Sequence, residues 1–304
     1  MTITLQESLR GLFYAPFYVA LAHDAYTAEG VTVRFVSAPE PGKAATAIMS
    51  GAVDVNWGGP MRVMQTYQQD PACDLVSFAE VVTRDPFLLV GRDARPDFSL
   101  RDLVGARLAP VSEVPTPWLC LQEDLRRAGV APAMVERASG ATMAENCAAL
   151  RAGTVDVVQL FEPFVSTLLA DHGCHVWYAQ ASRGPTSYTT FYARRATMMR
   201  RRDELHRMVR AIYRTQRWVA DASGAAIAEA VRGFFPDVPS AILTAACTRY
   251  KTLGIWGSDP VLPRAGYDRL LSSLVSGGFV HPGTPFSVAA DNRIALAVLA
   301  EGAA

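Results

Sequence analysis

The sequence predicts an α/β protein of two lobes, each a mostly parallel sheet flanked by helices, with a helical C-terminal region. Three observations predict it. The 304 residues exceed what one hydrophobic core ordinarily serves, so two domains of about 100 to 200 residues each are expected. Short β-rich runs alternate with helical stretches in two successive segments, and GAVDVNWGGP at 51–60 returns in pattern as GTVDVVQLFEP at 153–163. Beyond residue 195 the alternation stops, and Ala-rich amphipathic runs take over.

In order, TITLQE (2–7) reads as a strand, 16–28 as a helix, VTVRFV (31–36) as a strand, 43–50 as a helix and VDVNW (53–57) as a strand. Gly30 and Gly51 close the two helices, and Gly58-Gly59-Pro60 leads from strand to helix. The second segment repeats this grammar with FLLVG (87–91), ARLAPVS (106–112), a helix at 117–128, MVERAS (134–139), a helix at 143–152 and VDVVQLF (155–161). An extended run, SYTTFYARR (187–195), precedes helices expected at 203–222, 225–235, 240–253 and 263–276. The pattern places residues 1–85 and 190–304 in one lobe and 86–189 in the other, with chain crossings near 82–89 and 182–192.

Twenty-nine basic residues balance twenty-nine acidic ones, which removes the driving force for nonspecific nucleic-acid or anionic-membrane binding. Half the residues are apolar, so a sizeable core can form, and no stretch reaches the roughly 18–20 apolar residues of a membrane helix. The run Arg194, Arg195, Arg200, Arg201, Arg202 reads as a solvated helix face. The opening, MTITLQESLRG, lacks the features of a secretory signal, so the chain as written is expected in the cytoplasm; a mature or trimmed form would restore a periplasmic location. Cys73, Cys120, Cys147, Cys174 and Cys247 lack metal or disulfide spacing and read as buried thiols. His172 and His175 support a metal only weakly, and no HExxH, GxSxG or P-loop occurs.

APFYVALAHDAYTAEGVTV (15–33) resembles the opening helix and second strand of the NMT1/THI5-like group of type II periplasmic binding proteins, with Asp24 standing in a turn that commonly carries Gly. AATAIMSGAVDVNWGGP (44–60) and LRAGTVDVVQLFEPF (150–164) resemble two further segments of that group, one from each lobe. The resemblance implies the two-lobed type II periplasmic-binding-protein fold. It also implies capture, in an interlobe cleft, of a small polar planar metabolite of amino-pyrimidine, sulfonate or aromatic acid class for ABC-type import. The partners expected are the small-molecule ligand and an ABC permease; the chain is expected to be a monomer, with no nucleic acid, cofactor, metal or catalytic residue. The alternative is a cytosolic enzyme on the same fold, pyrimidine synthase-like or desulfinase/decarboxylase-like. The synthase's Cys-rich motif is absent, and neither Cys73 nor Cys120 lies in the opening turn, Leu12-Phe13-Tyr14-Ala15, where a desulfinase-type nucleophile is expected.

In that fold the strand-to-helix turns of both lobes supply the ligand contacts, which here selects five stretches. Phe13 and Tyr14 offer aromatic faces, and Trp57 an indole to stack on a planar ligand, with Gly58 and Gly59 permitting close backbone approach. Ser112, Glu113 and Thr116 precede the second lobe's first long helix, where free N–H groups and hydroxyls can receive an anion. Glu162 places a carboxylate at a helix start, able to accept from an amine, and Ser187 with Tyr188 lies in the returning crossing. An aromatic pair with a carboxylate favours a planar, nitrogen-bearing ligand; a sulfonate would lean on hydroxyls and an arginine, for which Arg84 and Arg183 flank the crossings.

Overall fold

The repeated Gly-x-Val-Asp segment does the same structural work in both halves of the computed structural model, which describes residues 2–302 apart from the side chains of Asp171 and His172. Asp54 Oδ2 accepts the Thr4 backbone N–H at 2.9 Å, and Asp156 Oδ2 accepts the Arg107 backbone N–H at the same distance. Each aspartate so ties the start of its own strand to the start of a parallel neighbour, which sets the register of the pair.

The strands are β1 (Thr2–Glu7), β2 (Thr32–Ser37), β3 (Val55–Gly58), β4 (Leu75–Val82), β5 (Leu88–Gly91), β6 (Arg107–Ala109), β7 (Glu136–Arg137), β8 (Val157–Leu160), β9 (His175–Ala179) and β10 (Thr189–Arg194). They form two sheets, ordered β2-β1-β3-β10-β4 and β7-β6-β8-β5-β9. In each sheet one strand runs against the others: β10 is antiparallel to β3 and β4, and β5 is antiparallel to β8 and β9. These are the two strands that follow a crossing, so each lies in its sheet opposite in sense to that sheet's other strands. The crossings are themselves bonded, Thr186 N–H to Thr83 O at 2.8 Å and Tyr188 N–H to Val82 O at 3.0 Å.

Helices flank both sheets, and local chemistry sets their ends. Thr142 and Glu145 form a reciprocal cap on the helix Met143–Ala152, which ends at Gly153 with φ of +74°. The stretch expected as one helix over 16–28 is two, Ala15–Ala22 and Ala25–Ala28, because Asp24 adopts φ of +51° and breaks the ladder between them. The C-terminal helices Arg202–Asp221, Gly224–Val231, Ser240–Thr252 and Arg264–Ser276 follow β10, as the amphipathic runs predict. Leu205, Met208, Val209, Ile212 and Val219 form the buried stripe of the first of these, at the spacing of one helix face. The basic run is largely paired rather than solvated: Arg194 reaches Asp74 at 2.8 Å, and Arg201 reaches Glu204 at 2.7 Å and Asp54 at 3.1 Å. Among the described residues no helix is long and apolar enough to cross a membrane.

Two C-terminal helices bridge the lobes. Ser240–Thr252 packs on Phe164–His172, and Arg264–Ser276 packs on Thr116–Arg127, where Ser272 Oγ donates to Glu123 Oε1 at 3.2 Å and Arg126 Nη1 to Ser276 Oγ at 3.1 Å. Gly277 lies at the end of the second bridge, where a Cβ would fall 2.3 Å from Leu119 Cδ2.

On β4, just before the first crossing, Glu80 is buried at 1% exposure. Desolvation pushes its carboxyl up to about 8, the neighbouring Ser187 hydroxyl opposing and Asp259 adding to the shift. A raised folded pKa means that the native state holds a proton the unfolded chain releases near pH 4.3. The stabilisation is complete below that pH and is lost as pH climbs toward 8. Melting temperature is therefore expected to fall between pH 5 and pH 8, and Glu80→Gln to flatten the fall. A residual slope is expected from Asp85, whose carboxyl burial pushes up to about 7. Equal slopes in variant and parent, by calorimetry across that pH range, would refute the assignment.

Candidate functional site

The turns after β1, β2, β3 and β6, together with both crossings, border one cavity of about 50 Å³ between the lobes. This is the position expected of ligands on open α/β sheets, beyond the carboxyl ends of the strands.

The turn after β1 is set by Glu7, which is buried at 1% exposure. Its Oε1 accepts from Arg10 Nη2 at 2.7 Å and Ser37 Oγ at 2.6 Å, and its Oε2 from the Tyr18 hydroxyl at 2.7 Å. Gly11 then lets the Phe13 ring fold back over the turn, since a Cβ there would fall 2.6 Å from Phe13 Cε1. Phe13 is the centre of an interlobe aromatic cluster: its ring lies 5.3 Å from Phe161 of the second lobe, and 6.3 and 6.4 Å from Phe87 and Tyr188 of the two crossings. Trp256 Nε1 donates to Phe13 O at 2.9 Å and holds the turn from behind.

Tyr14 borders the cavity beside Phe13, and burial raises its phenol pKa far above the ordinary value, so the hydroxyl is a neutral donor. Tyr188 borders it from the returning crossing, and its hydroxyl is buried with no partner among the described residues. Gly59 and Ser8 complete the first-lobe wall, and a Cβ at Gly59 would sit 3.3 Å from Tyr188 O. From the second lobe come Val114 and Thr116, the latter opening the helix Thr116–Arg127.

The one cation bordering the cavity among the described residues is Arg62, and no carboxylate, histidine or cysteine borders it. Arg62 Nη1 donates to Gln65 Oε1 at 2.7 Å, and the ionisable groups nearest it are the phenols of Tyr14 and Tyr192. Desolvation pulls its pKa below the usual guanidinium value, while the group remains charged. A half-buried guanidinium with no anionic partner among the described residues can receive an anion through charge-assisted hydrogen bonds, and Tyr188 brings an unpartnered phenol to the same cavity.

Of the residues selected from the sequence, Phe13, Tyr14, Gly59, Thr116 and Tyr188 therefore come together. The others do not. Trp57 is fully buried in the first lobe, its indole stacked between Phe17 at 4.7 Å and Phe35 at 5.1 Å; stacking on a ligand gives way to a core role. Gly58 sits behind the wall, where a Cβ would fall 2.7 Å from Ser8 Oγ. Glu162 is also fully buried, and the expectation of a carboxylate facing the cleft is corrected. Its Oε1 binds Arg249 Nε at 2.7 Å and Ser166 Oγ at 2.9 Å, and its Oε2 accepts the Ser166 N–H at 2.9 Å, leaving neither oxygen for a ligand. Glu113 accepts the Met143 N–H at 2.8 Å and caps the next helix rather than bordering the cavity. Ser112 Oγ accepts the Gly140 N–H at 3.0 Å outside the cavity, and Ser187 is buried against Gly266 behind the crossing. Arg183 is likewise committed, 3.1 Å from Asp124 and 3.9 Å from Asp85.

Sequence reasoning missed Arg62, Ser8 and Phe87, and singled out only the polar residues of the stretch 112–116, not Val114. A usable signal existed for Arg62. Gly58-Gly59-Pro60 opens the helix Pro60–Gln69, and side chains in a first helical turn lean back toward the N-terminus, here toward the cleft. Among the described residues no group of His, Cys, Asp and Glu is arranged to hold a metal; the His172 side chain lies outside them.

The family model described as NMT1/THI5 like matches residues 13–225. The chain is 24% identical over 301 residues to YtlA of Bacillus subtilis (strain 168), described as a binding protein, covering 98% of this chain and 90% of that one. It superposes on the periplasmic sulfonate-binding protein SsuA of Methylobacillus flagellatus KT with a TM-score of 0.77 at 15% identity, covering 99% and 94% of the two chains. It superposes equally fully, with a TM-score of 0.72 at 14% identity over 99% of each chain, on the desulfurization enzyme DszB. At these identities the two structures establish the fold.

Proposed function

Because this chain belongs to the NMT1/THI5-like family, we propose that it is a solute-binding protein of ABC-type import whose cleft captures a small organic anion of sulfonate or aromatic carboxylate class. The observation that carries the reading is Arg62, a desolvated guanidinium bordering the cavity with no carboxylate beside it. An amino-pyrimidine would instead call for an acceptor carboxylate, and Glu162 is consumed by Arg249 and Ser166. In this reading Arg62 neutralises the acidic group, and the hydroxyls of Tyr14, Thr116 and Tyr188 complete its hydrogen bonds, while the Ser8 hydroxyl is committed to Trp57 O. Phe13 and Phe87 take the adjoining apolar atoms. The lobes then close about the two crossings, and the closed form is what an ABC permease would receive.

The enzymatic alternative of a cysteine nucleophile finds no support in the cavity. None of the five cysteines borders it, and burial pushes the Cys120 thiol up to about 12, away from the thiolate such chemistry needs. Isothermal calorimetry against alkanesulfonates, arylsulfonates and aromatic carboxylates, followed by mass spectrometry of the recovered ligand, tests the proposal. Saturable heat with the ligand returned unchanged is expected; a modified ligand, or no heat from any of these anions, would overturn it.

A further inference from the structure

The cavity is small for a ligand. At about 50 Å³ it falls far below the roughly 300–1,000 Å³ of ordinary ligand sites, and holds an acidic head group with little else. Beside it, on the second lobe, lies an open groove of about 380 Å³ between the turn after β6 and the turn after β7. Val114 borders both spaces, so its side chain is the wall they share.

The chemistry of the groove repeats that of the cavity. Arg137, the last residue of β7, lies over the Trp118 ring with Cζ 4.5 Å from the centroid. A guanidinium laid on an indole is held by cation–π attraction, while the N–H donors around its edge stay free for a bidentate acceptor. No Asp or Glu lines the groove among the described residues, so this charge too lacks an anionic partner there. Ser112 and Ser139 supply hydroxyls on the wall, and the Gly140 N–H bond to Ser112 Oγ at 3.0 Å holds the two turns together. Between Val114 and Arg137 the surface is apolar, made by Pro115 and Leu119.

We infer that the groove is a second anion subsite for the same ligand, which carries one acidic group for Arg62 and another, beyond an apolar spacer passing Val114, for Arg137. This rests on the reading of the cleft as an anion site and narrows it from organic monoanions to extended dianions. It also assigns Ser112 a place on the ligand's path, at its far end.

The test is calorimetric titration of the full chain with straight-chain ω-carboxyalkanesulfonates of increasing length, each beside the plain alkanesulfonate of equal length. At one length the added carboxylate is expected to tighten binding about tenfold, the scale of one exposed bidentate contact. Arg137→Ala should erase that gain and Arg137→Lys restore part of it, with the plain alkanesulfonates bound as before. Arg137 is exposed, so both variants should fold, which circular dichroism checks. The inference is overturned if no length gains from the carboxylate, or if the gain survives Arg137→Ala while alkanesulfonates still bind. If the parent chain takes up neither series, the subsite is overturned, and the anion reading falls with it only where arylsulfonates and aromatic carboxylates also give no heat.

Discussion

Glu162→Ala is expected to lower stability by about 3 kcal/mol, the low end for breaking a buried ion pair, because Arg249 keeps 27% of its side chain exposed and can recover some hydration. Glu162 stands at the turn between β8 and the helix Phe164–His172, and Arg249 on the helix Ser240–Thr252 that bridges the lobes. The Tyr250 hydroxyl accepts the Glu162 backbone N–H at 2.8 Å, so the same bridge grips main chain and side chain. Glu162→Gln, which keeps one carbonyl acceptor for Ser166 but neither the second oxygen nor the charge for Arg249, should lose less. Urea unfolding of the three proteins measures the order. A Glu162→Ala chain of parental stability that no longer binds sulfonates would return this residue to the ligand site.

Arg62→Ala should do the reverse. Removing one partner of a desolvated charged contact typically costs about 2–5 kcal/mol, and the half-buried position of Arg62 puts the loss near the lower end, about 100-fold in affinity for a sulfonate. Stability should hardly change, because the guanidinium is desolvated and has no carboxylate to lose. Arg62→Lys should recover part of the affinity, since an ammonium supplies the charge but not the planar pair of donors. Unaltered sulfonate affinity in Arg62→Ala would remove the observation on which the proposed ligand class stands.

These two residues mark where sequence reasoning succeeds and fails. The two lobes, the alternation of strands and helices and the helical C-terminal region were legible, because each depends on short-range periodicity and on turn residues within a few positions. The paired Gly-x-Val-Asp segments were legible as equivalent positions, and the structure supplies the reason in two matching backbone hydrogen bonds. Site residues were legible only as turns. Phe13, Tyr14, Gly59, Thr116 and Tyr188 border the cavity because turns beyond strand ends surround it, but the same reasoning also selected Trp57, Glu162 and Ser187, which are fully buried elsewhere.

The amino-acid order alone determined most of the strands and helices and their grouping into two lobes, since the burial of one face per element is written locally; β4, β9 and the break at Asp24 came only with the structure. Only the tertiary structure decided which charge stays unpaired. Glu162 meets Arg249, 87 residues away, whereas Arg62 meets no carboxylate among the described residues. A buried charge finds its partner through space, and nothing in the local sequence around either residue distinguishes the neutralised group from the one left open to a ligand.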